Sequence, residues 1–280
     1  MSSLAHFCPD QLLQTFCILD DLAMIIFGSR SGVGRPRDIT LSEAATMVVI
    51  KSQYGIQPLK KLYTLLTDRF SSEFKLPAYK NFVATMNRYT PQFFLLIHLL
   101  LAMRNKNAGV IKITDSTALP VCKNLRISSH KVMKRIATRS KTTTGWFYGL
   151  KLHVVTDEQG QLLRCIFSTA TTDDRKALDK FLDILANTLL LADGGYVSKK
   201  LEKKALQRNN LLLTCVRKNM KKLATPLHIF LLNKRIHVEQ LFSVLKERYG
   251  LITSLPRSEG GYLAHYIRVL FGYLFMPVIS

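Results

Sequence analysis

The chain has 280 residues, of which 48% are hydrophobic, so it can bury a sizeable core and is not wholly disordered. Lys and Arg number 40 against 19 Asp and Glu, and the formal net charge of +21 predicts a polyanionic partner. A membrane span is not expected. The apolar run 93–103 is too short to cross a bilayer, and the run 262–279 contains His265 and Arg268.

Two features of the sequence concern the compartment. The first twenty residues lack the basic start and apolar stretch of a signal peptide, so we expect a protein that is not exported. The five cysteines form no C-x-x-C pair, which argues against a disulfide framework and against a structural zinc site. We therefore expect reduced cysteines in a cytoplasmic protein.

The first hundred residues show helical spacing of apolar positions. Helices are predicted over 12–26, 41–51, 57–68 and 78–89, with an apolar helix after Pro91. The segments at 41–68 could form a helix-turn-helix, and a glycine-rich basic loop at 28–37 precedes them. We expect residues 1–105 to be a helical DNA-binding region and residues 106–280 to form a second domain.

Beyond Val110 the pattern alternates between strands and helices. This alternation predicts an α/β domain with a mixed sheet flanked by helices. The order of its strands and helices along the chain is the one found in the ribonuclease H-like fold. The stretch 219–233 is predicted to be short and irregular. The predicted strands are 110–114, 147–156, 162–168, 189–192 and 211–216, and the predicted helices are 173–186, 198–207, 233–249 and 262–276.

Acidic residues are scarce in this second part, which makes their positions informative. Asp115 is the one acid among eleven basic residues between Arg104 and Lys151, and we place it at the end of the first strand. Asp193 follows the next short buried strand and precedes two glycines. Each aspartate has a plainer interpretation, as a residue that caps or forms a turn.

Glu239 is the third candidate, on a helix that also carries Arg235 and Lys246. Its plainer interpretation is a surface ion pair with Arg235, of little energetic value. Taken together, two strand-end aspartates and a helical glutamate could converge at one edge of a sheet. Such a set would suit two hard divalent cations that act on a phosphodiester.

Three motifs carry a family resemblance. Thr114-Asp115-Ser116-Thr117, Asp193-Gly194-Gly195-Tyr196 and Arg235-x3-Glu239-x6-Lys246 resemble the signatures of bacterial insertion-sequence DDE transposases. The run 144–153 and the run 216–221 are similar to the insertion sequence 982 group of that class. The resemblance extends over nearly the whole chain.

The resemblance implies a ribonuclease H-like catalytic domain with two Mg²⁺ or Mn²⁺ ions, held by Asp115, Asp193 and Glu239. It implies metal-dependent cleavage at transposon ends, then strand transfer into target DNA by 3′-hydroxyl attack. The implied partners are the terminal inverted repeats of the transposon and the target DNA. The resemblance also implies a bacterial, nucleoid-associated protein that forms a homodimer when it is assembled on the DNA ends. Two alternatives stay open: a ribonuclease H-like nuclease without strand transfer, and an inactive or domesticated DNA-binding derivative.

The basic residues supply candidate DNA contacts. Arg235 and Lys246 would contact phosphates near the cleaved bond, and the Arg35 and Arg37 loop could enter a minor groove. A basic loop between the first two strands is expected to lie along the DNA backbone. Trp146 is expected to anchor a core rather than to stack on a base. The further candidates are Lys131, Lys134, Arg135, Arg139 and Lys141 in that loop, and Arg217 and Lys218 after the last strand.

Overall fold

The computed structural model describes residues 9–28, 38–143, 145–215 and 225–279. The chain packs as two compact units. The first contains the residues up to 97 together with 247–251 and 255–280, and the second contains residues 98–246 together with 252–254. The C-terminal helix, which the sequence grouped with the second domain, thus packs in the first unit. Among the described helices, none is long and apolar enough to cross a membrane.

Helices build the first unit. The helix Leu41–Gln53 begins with a capping box, in which Thr40 accepts a hydrogen bond from the Glu43 amide and Glu43 accepts one from the Thr40 amide. That helix is buried along most of its length, because the first and last helices of the chain pack on it. The helices are α1 Pro9–Phe27, α2 Leu41–Gln53, α3 Leu59–Arg69, α4 Tyr79–Arg88, α5 Thr90–Asn107, whose second half belongs to the other unit, and α10 Glu259–Ile279.

A mixed sheet forms the centre of the second unit. Its strands are β1 Ile111–Pro120, β2 Thr138–Thr142, β3 Gly145–Asp157, β4 Leu162–Thr169, β5 Leu189–Ala192 and β6 Leu211–Thr214. Its helices are α6 Asp174–Leu182, α7 Lys199–Leu206, α8 Pro226–Asn233 and α9 Ile236–Glu247. The last two strands are short and apolar, and of these β5 is buried along most of its length while β6 is partly exposed.

The strand order is β2-β3-β1-β5-β6, and β4 pairs with β3. The strand β1 runs antiparallel to β3 and parallel to β5, and β5 runs parallel to β6. The antiparallel strands β4, β3 and β1, with the short β2 added along β3, are followed by the parallel strands β5 and β6. With helices in the crossovers, this order gives the ribonuclease H-like arrangement that the sequence predicts. The core beside β5 is made by the inner faces of α6 and α7.

Several predicted elements need correction. The stretch 226–233, predicted to be irregular, is the helix α8, which Thr225 caps at its first turn. Residues 138–142, predicted to be part of a basic loop, form the strand β2 along the edge of β3. The helix after β4 ends at Leu182 instead of 186, and Asn187 takes a positive φ of 52° shortly before β5 begins.

Candidate active site

Asp115 and Asp193 lie at the same edge of the sheet. The strand β1 pairs with β5 only over residues 111–113, so Asp115 lies just beyond the parallel pairing. Asp193 is the first residue after β5. The expectation that Asp115 ends its strand is wrong, since β1 continues along β3 to Pro120. Asp115 still lies near the carboxyl end of β5, because the parallel pairing of β1 with β5 stops two residues before it.

A single guanidinium joins the two aspartates. Arg235 Nη2 lies 3.1 Å from Asp115 Oδ2, and Arg235 Nη1 lies 3.4 Å from Asp193 Oδ1. Arg235 immediately precedes α9, and its side chain is only 16% exposed. The two carboxylates therefore face one cation that comes from the segment carrying Glu239.

Glu239 does not join this pair. It lies in the first turn of α9 with its side chain exposed, four residues and about 6 Å along the helix axis from Arg235. Over the described ranges, no group of three Asp, Glu, His or Cys residues is placed to hold a metal ion. The structure thus brings together Asp115, Asp193 and Arg235, while the three predicted carboxylates do not form a cluster.

The protonation of Asp115 depends on opposing influences. Burial raises the pKa of this carboxyl above its ordinary value, while the Ser116 amide and the Arg235 guanidinium counteract the increase. The Ser116 amide donates a 2.7 Å hydrogen bond to Asp115 Oδ1. Asp193 raises the pKa of Asp115 further, which is expected of two like charges held close together.

A fourth carboxylate, Asp174, is connected to Asp115 through Ser116 and was not a candidate from the sequence. Its Oδ1 accepts hydrogen bonds from Ser116 Oγ at 3.1 Å and from Lys151 Nζ at 3.1 Å. His153 Nδ1 lies 3.6 Å from the same oxygen, and burial lowers the pKa of His153 to about 4. Asp174 lies at the start of the helix predicted over 173–186, and the sequence carries no signal for its long-range partners.

Tyr196, in the Asp193-Gly194-Gly195-Tyr196 motif, also faces this region. Tyr196 is 3% exposed. Burial raises the pKa of Tyr196, and the neighbouring carboxylates Asp174 and Asp115 raise it further. The tyrosine therefore packs as a neutral group close to the carboxylates of Asp115 and Asp174.

The basic hairpin formed by β2 and β3 carries several of the predicted DNA contacts. Arg139 and Lys141 are exposed on β2, and their cationic groups lie 4.8 Å and 5.9 Å from the centre of the Trp146 ring. Trp146 is 50% exposed, so the expectation of a core tryptophan is wrong. It pairs with Lys141 of β2 in the hairpin, and its backbone carbonyl accepts a 2.7 Å hydrogen bond from the Asn124 side-chain amide.

The remaining predicted DNA contacts are more dispersed. Lys131, Lys134 and Arg135 are exposed in the segment before β2. Lys246, in the last turn of α9, is half-buried, and this burial lowers its pKa. The predicted contacts Arg35, Arg37, Arg217 and Lys218 lie outside the described residues.

Comparison with known families decides the classification. A family model described as transposase DDE domain matches residues 105–258, more than half of the chain. The chain belongs to the DDE transposase family. The match covers Asp115, Asp193, Arg235 and Glu239, and it does not single out the insertion sequence 982 group.

Solved structures and curated proteins add little to this assignment. One similar solved structure is a pre-cleavage Mos1 transpososome, with 10% sequence identity, 98% of each chain covered and a TM-score of 0.26. A second is the Mos1 transposase paired-end complex with the left transposon end, with 11% identity, 90% of this chain and 82% of that chain covered, and a TM-score of 0.26. A third is the Mos1 strand transfer complex, with 11% identity, 96% of each chain covered and a TM-score of 0.26. A TM-score of 0.26 is too low to infer a shared arrangement of the backbone. No curated protein matches the chain. The assignment therefore depends on the family model.

In this DDE transposase the donor set suits a hard divalent cation. Mg²⁺ and Mn²⁺ prefer carboxylate oxygens, and they are usually bound by few protein ligands. Asp115 Oδ2 and Asp193 Oδ1 already converge on the Arg235 guanidinium, whose positive charge lies where a metal ion between the two carboxylates would lie. The two aspartates therefore fit a divalent ion.

Proposed function

We propose that this DDE transposase cleaves DNA at the ends of a transposon and joins those ends to target DNA. The observation that carries the proposal is the convergence of Asp115 and Asp193 on one cation, 3.1 Å and 3.4 Å from their oxygens, within the segment that matches the DDE family. Asp115, Asp193 and Glu239 are the proposed ligands of two Mg²⁺ or Mn²⁺ ions.

The chain's own residues would position the DNA. When bound, the ions supply activation of water, and then of a DNA 3′-hydroxyl, as the attacking group. Asp115 is held in orientation by the Ser116 amide, so its second oxygen faces the site. Glu239 lies one helical turn beyond Arg235, and a movement of α9 or of the Glu239 side chain toward the two aspartates would have to complete the set.

DNA binding is proposed for three surfaces. Lys60 and Lys61 are exposed on α3, which would be the recognition helix of a helix-turn-helix over 41–68. The hairpin with Arg139 and Lys141, and the segment with Lys131, Lys134 and Arg135, would follow the phosphate backbone. Arg35, Arg37, Arg217, Lys218 and Lys246 are proposed as further contacts.

The assembly is also a proposal. Transposition joins two DNA ends, so we expect a homodimer on DNA, with residues 1–105 serving mainly for binding and 106–280 for catalysis. Membership in the insertion sequence 982 group is proposed from the runs 144–153 and 216–221.

The test is a transposition reaction in vitro. The purified full chain is mixed with Mg²⁺ and DNA that carries both ends of the element encoding it, and cleaved and joined products are resolved on gels. We expect both products from the wild type and neither from Asp115→Asn, Asp193→Asn or Glu239→Gln, with DNA binding retained. Glu247→Gln, an exposed carboxylate on the same helix as Glu239, is the matched control and should react normally.

The other outcomes identify the alternatives. Cutting without joining would indicate a ribonuclease H-like nuclease. Binding without cutting would indicate an inactive or domesticated derivative. Wild-type cleavage by any one of the three variants would remove that residue from the proposed set.

A further inference from the structure

Arg235 lies where the proposed metal site needs a cation. Its terminal nitrogens contact Asp115 Oδ2 and Asp193 Oδ1, and Nη1 also lies 3.5 Å from Cys215 Sγ. Its Nε is buried and has no hydrogen-bond partner among the described residues. Among the described residues, the guanidinium is therefore held by the two carboxylates, with a longer contact to the Cys215 thiol.

The oxygens that Arg235 occupies are the ones a metal ion would use. Asp115 Oδ1 already accepts the Ser116 amide at 2.7 Å, so Oδ2 is the oxygen turned toward the open site. A divalent ion at Oδ2 and at Asp193 Oδ1 would be placed against the guanidinium. Two cations cannot share that position, since they would repel each other and compete for the same lone pairs.

We propose that Arg235 is a tethered cation that holds Asp115 and Asp193 together in the metal-free protein and is displaced when a divalent ion binds. This rests on the proposed function, namely that these two aspartates are metal ligands. The ion pair keeps two like charges from repelling each other before the metal arrives. It also lowers the apparent metal affinity, because only the fraction of molecules with the site open can bind.

Displacement also gives Arg235 a second role. The residue immediately precedes α9, the helix that carries Glu239 and Lys246. Once released, its guanidinium is free to contact a DNA phosphate, which suits the planar, bidentate geometry of arginine. Metal binding and this phosphate contact are thereby coupled: the arginine turns to DNA only after the ion has taken its place.

The test measures Mn²⁺ binding to the full-length protein without DNA, by titration calorimetry. Arg235→Gln removes the competing charge, and Arg235→Lys keeps it. If Arg235 occupies the site in nine molecules out of ten, the Mn²⁺ dissociation constant of Arg235→Gln should be about tenfold lower than that of the wild type. Arg235→Lys should remain near the wild-type value.

Lys234→Gln is the matched control for net charge. It removes one positive charge from the adjacent residue, which pairs with Glu158 instead of with the aspartates. We expect its Mn²⁺ affinity to change little. An equal gain in Lys234→Gln and Arg235→Gln would overturn the proposal, because a general loss of positive charge would then explain both.

A thermal measurement separates this role from a purely structural one. Without metal, Arg235→Gln should melt below the wild type, since two aspartates are left facing each other, and Mn²⁺ should raise its melting temperature more than that of the wild type. Equal Mn²⁺ shifts, or weaker or absent Mn²⁺ binding in Arg235→Gln, would overturn the proposal.

The metal-site assignment is tested separately. Asp115→Asn and Asp193→Asn should each weaken Mn²⁺ binding. Unchanged binding in both would show that the metal site lies elsewhere and would refute the proposed function together with this inference. Weakened binding in both, without tightening in Arg235→Gln, would refute the inference alone.

Discussion

Ser116 Oγ donates a hydrogen bond of 3.1 Å to Asp174 Oδ1. The amide of the same serine donates to Asp115 Oδ1, so one residue connects the proposed metal ligand to a carboxylate at the start of α6. Asp174 also accepts from Lys151 on β3. The strand that carries Asp115 is in this way held against the helix that follows β4.

The first prediction concerns Asp174. Replacement by Ala should lower the free energy of unfolding by about 1–3 kcal/mol, because the Ser116 hydroxyl and the Lys151 ammonium lose their acceptor. Cleavage should fall at least about tenfold, since Asp115 loses part of its support. Chemical denaturation and a cleavage assay measure the two effects.

The control for Asp174 is Asp183→Ala, in the exposed aspartate at the other end of α6, which pairs with Lys204. It should leave cleavage unchanged. Normal cleavage and normal stability in Asp174→Ala would show that the network around Ser116 has no role in the site.

A second prediction concerns the β2–β3 hairpin. If Arg139 and Lys141 each neutralise one phosphate, replacing both by Gln should make the salt dependence of DNA binding less steep by about 1.8 in log K against log [salt]. Binding to end DNA at several salt concentrations measures the slope.

The charge-matched control for the hairpin is the double replacement Lys199→Gln and Lys203→Gln, in exposed lysines of α7. It changes the net charge equally but should leave the slope almost unchanged. The same change of slope in both double variants would show that net charge, and not the hairpin, sets the response.

The sequence predicted the elements whose signals are local. The predicted strands 147–156 and 162–168 correspond to β3 and β4, which pair as a hairpin in which Gly160 takes a positive φ of 83°. The positions of Asp115 and Asp193 beside each other could also be predicted, because parallel strands bring their carboxyl ends to one edge.

Other features depend on contacts that are distant in sequence. Arg235 and Asp115 are 120 residues apart, and no pattern near either one indicates their ion pair. The strand β2 is a short basic segment that becomes a strand by pairing with β3. Trp146 was expected in a core because tryptophan usually is, but edge pairing leaves half of its surface in solvent.

A third prediction concerns a buried cation in the first unit. Lys51 is 4% exposed, and burial, together with the nearby Arg268 charge, lowers its pKa to about 8. Lys51→Met should raise the free energy of unfolding by about 1–3 kcal/mol, since a similar volume is kept without a buried charge.

Denaturation at pH 7 tests this prediction, with the exposed Lys60→Met on α3 as the control that should not gain stability. A loss of stability in Lys51→Met would mean that the lysine makes a favourable buried contact that outweighs its desolvation.

The fourth prediction concerns pH. His265 Nε2 donates a 2.9 Å hydrogen bond to Gly250 O, and burial, foremost, lowers the pKa of His265 to about 3. The ring is therefore neutral near pH 7. Between pH 6.5 and 3 the unfolded chain binds a proton that the folded chain does not, so stability must fall as the pH decreases.

From pH 7 to pH 5 this single histidine should cost about 2 kcal/mol of stability. His153, with its pKa lowered to about 4, contributes in the same direction. His265→Gln should therefore flatten the dependence without abolishing it. An unchanged slope in that variant would contradict the assignment of the effect to His265.

The most direct test of the proposed site is to locate the metal. Anomalous diffraction from crystals of the protein with Mn²⁺ and end DNA should show a peak about 2 Å from carboxylate oxygens of Asp115 and Asp193, with Glu239 completing the set and Arg235 turned toward a phosphate. A peak away from both aspartates, with Arg235 still between them in the DNA complex, would contradict the account.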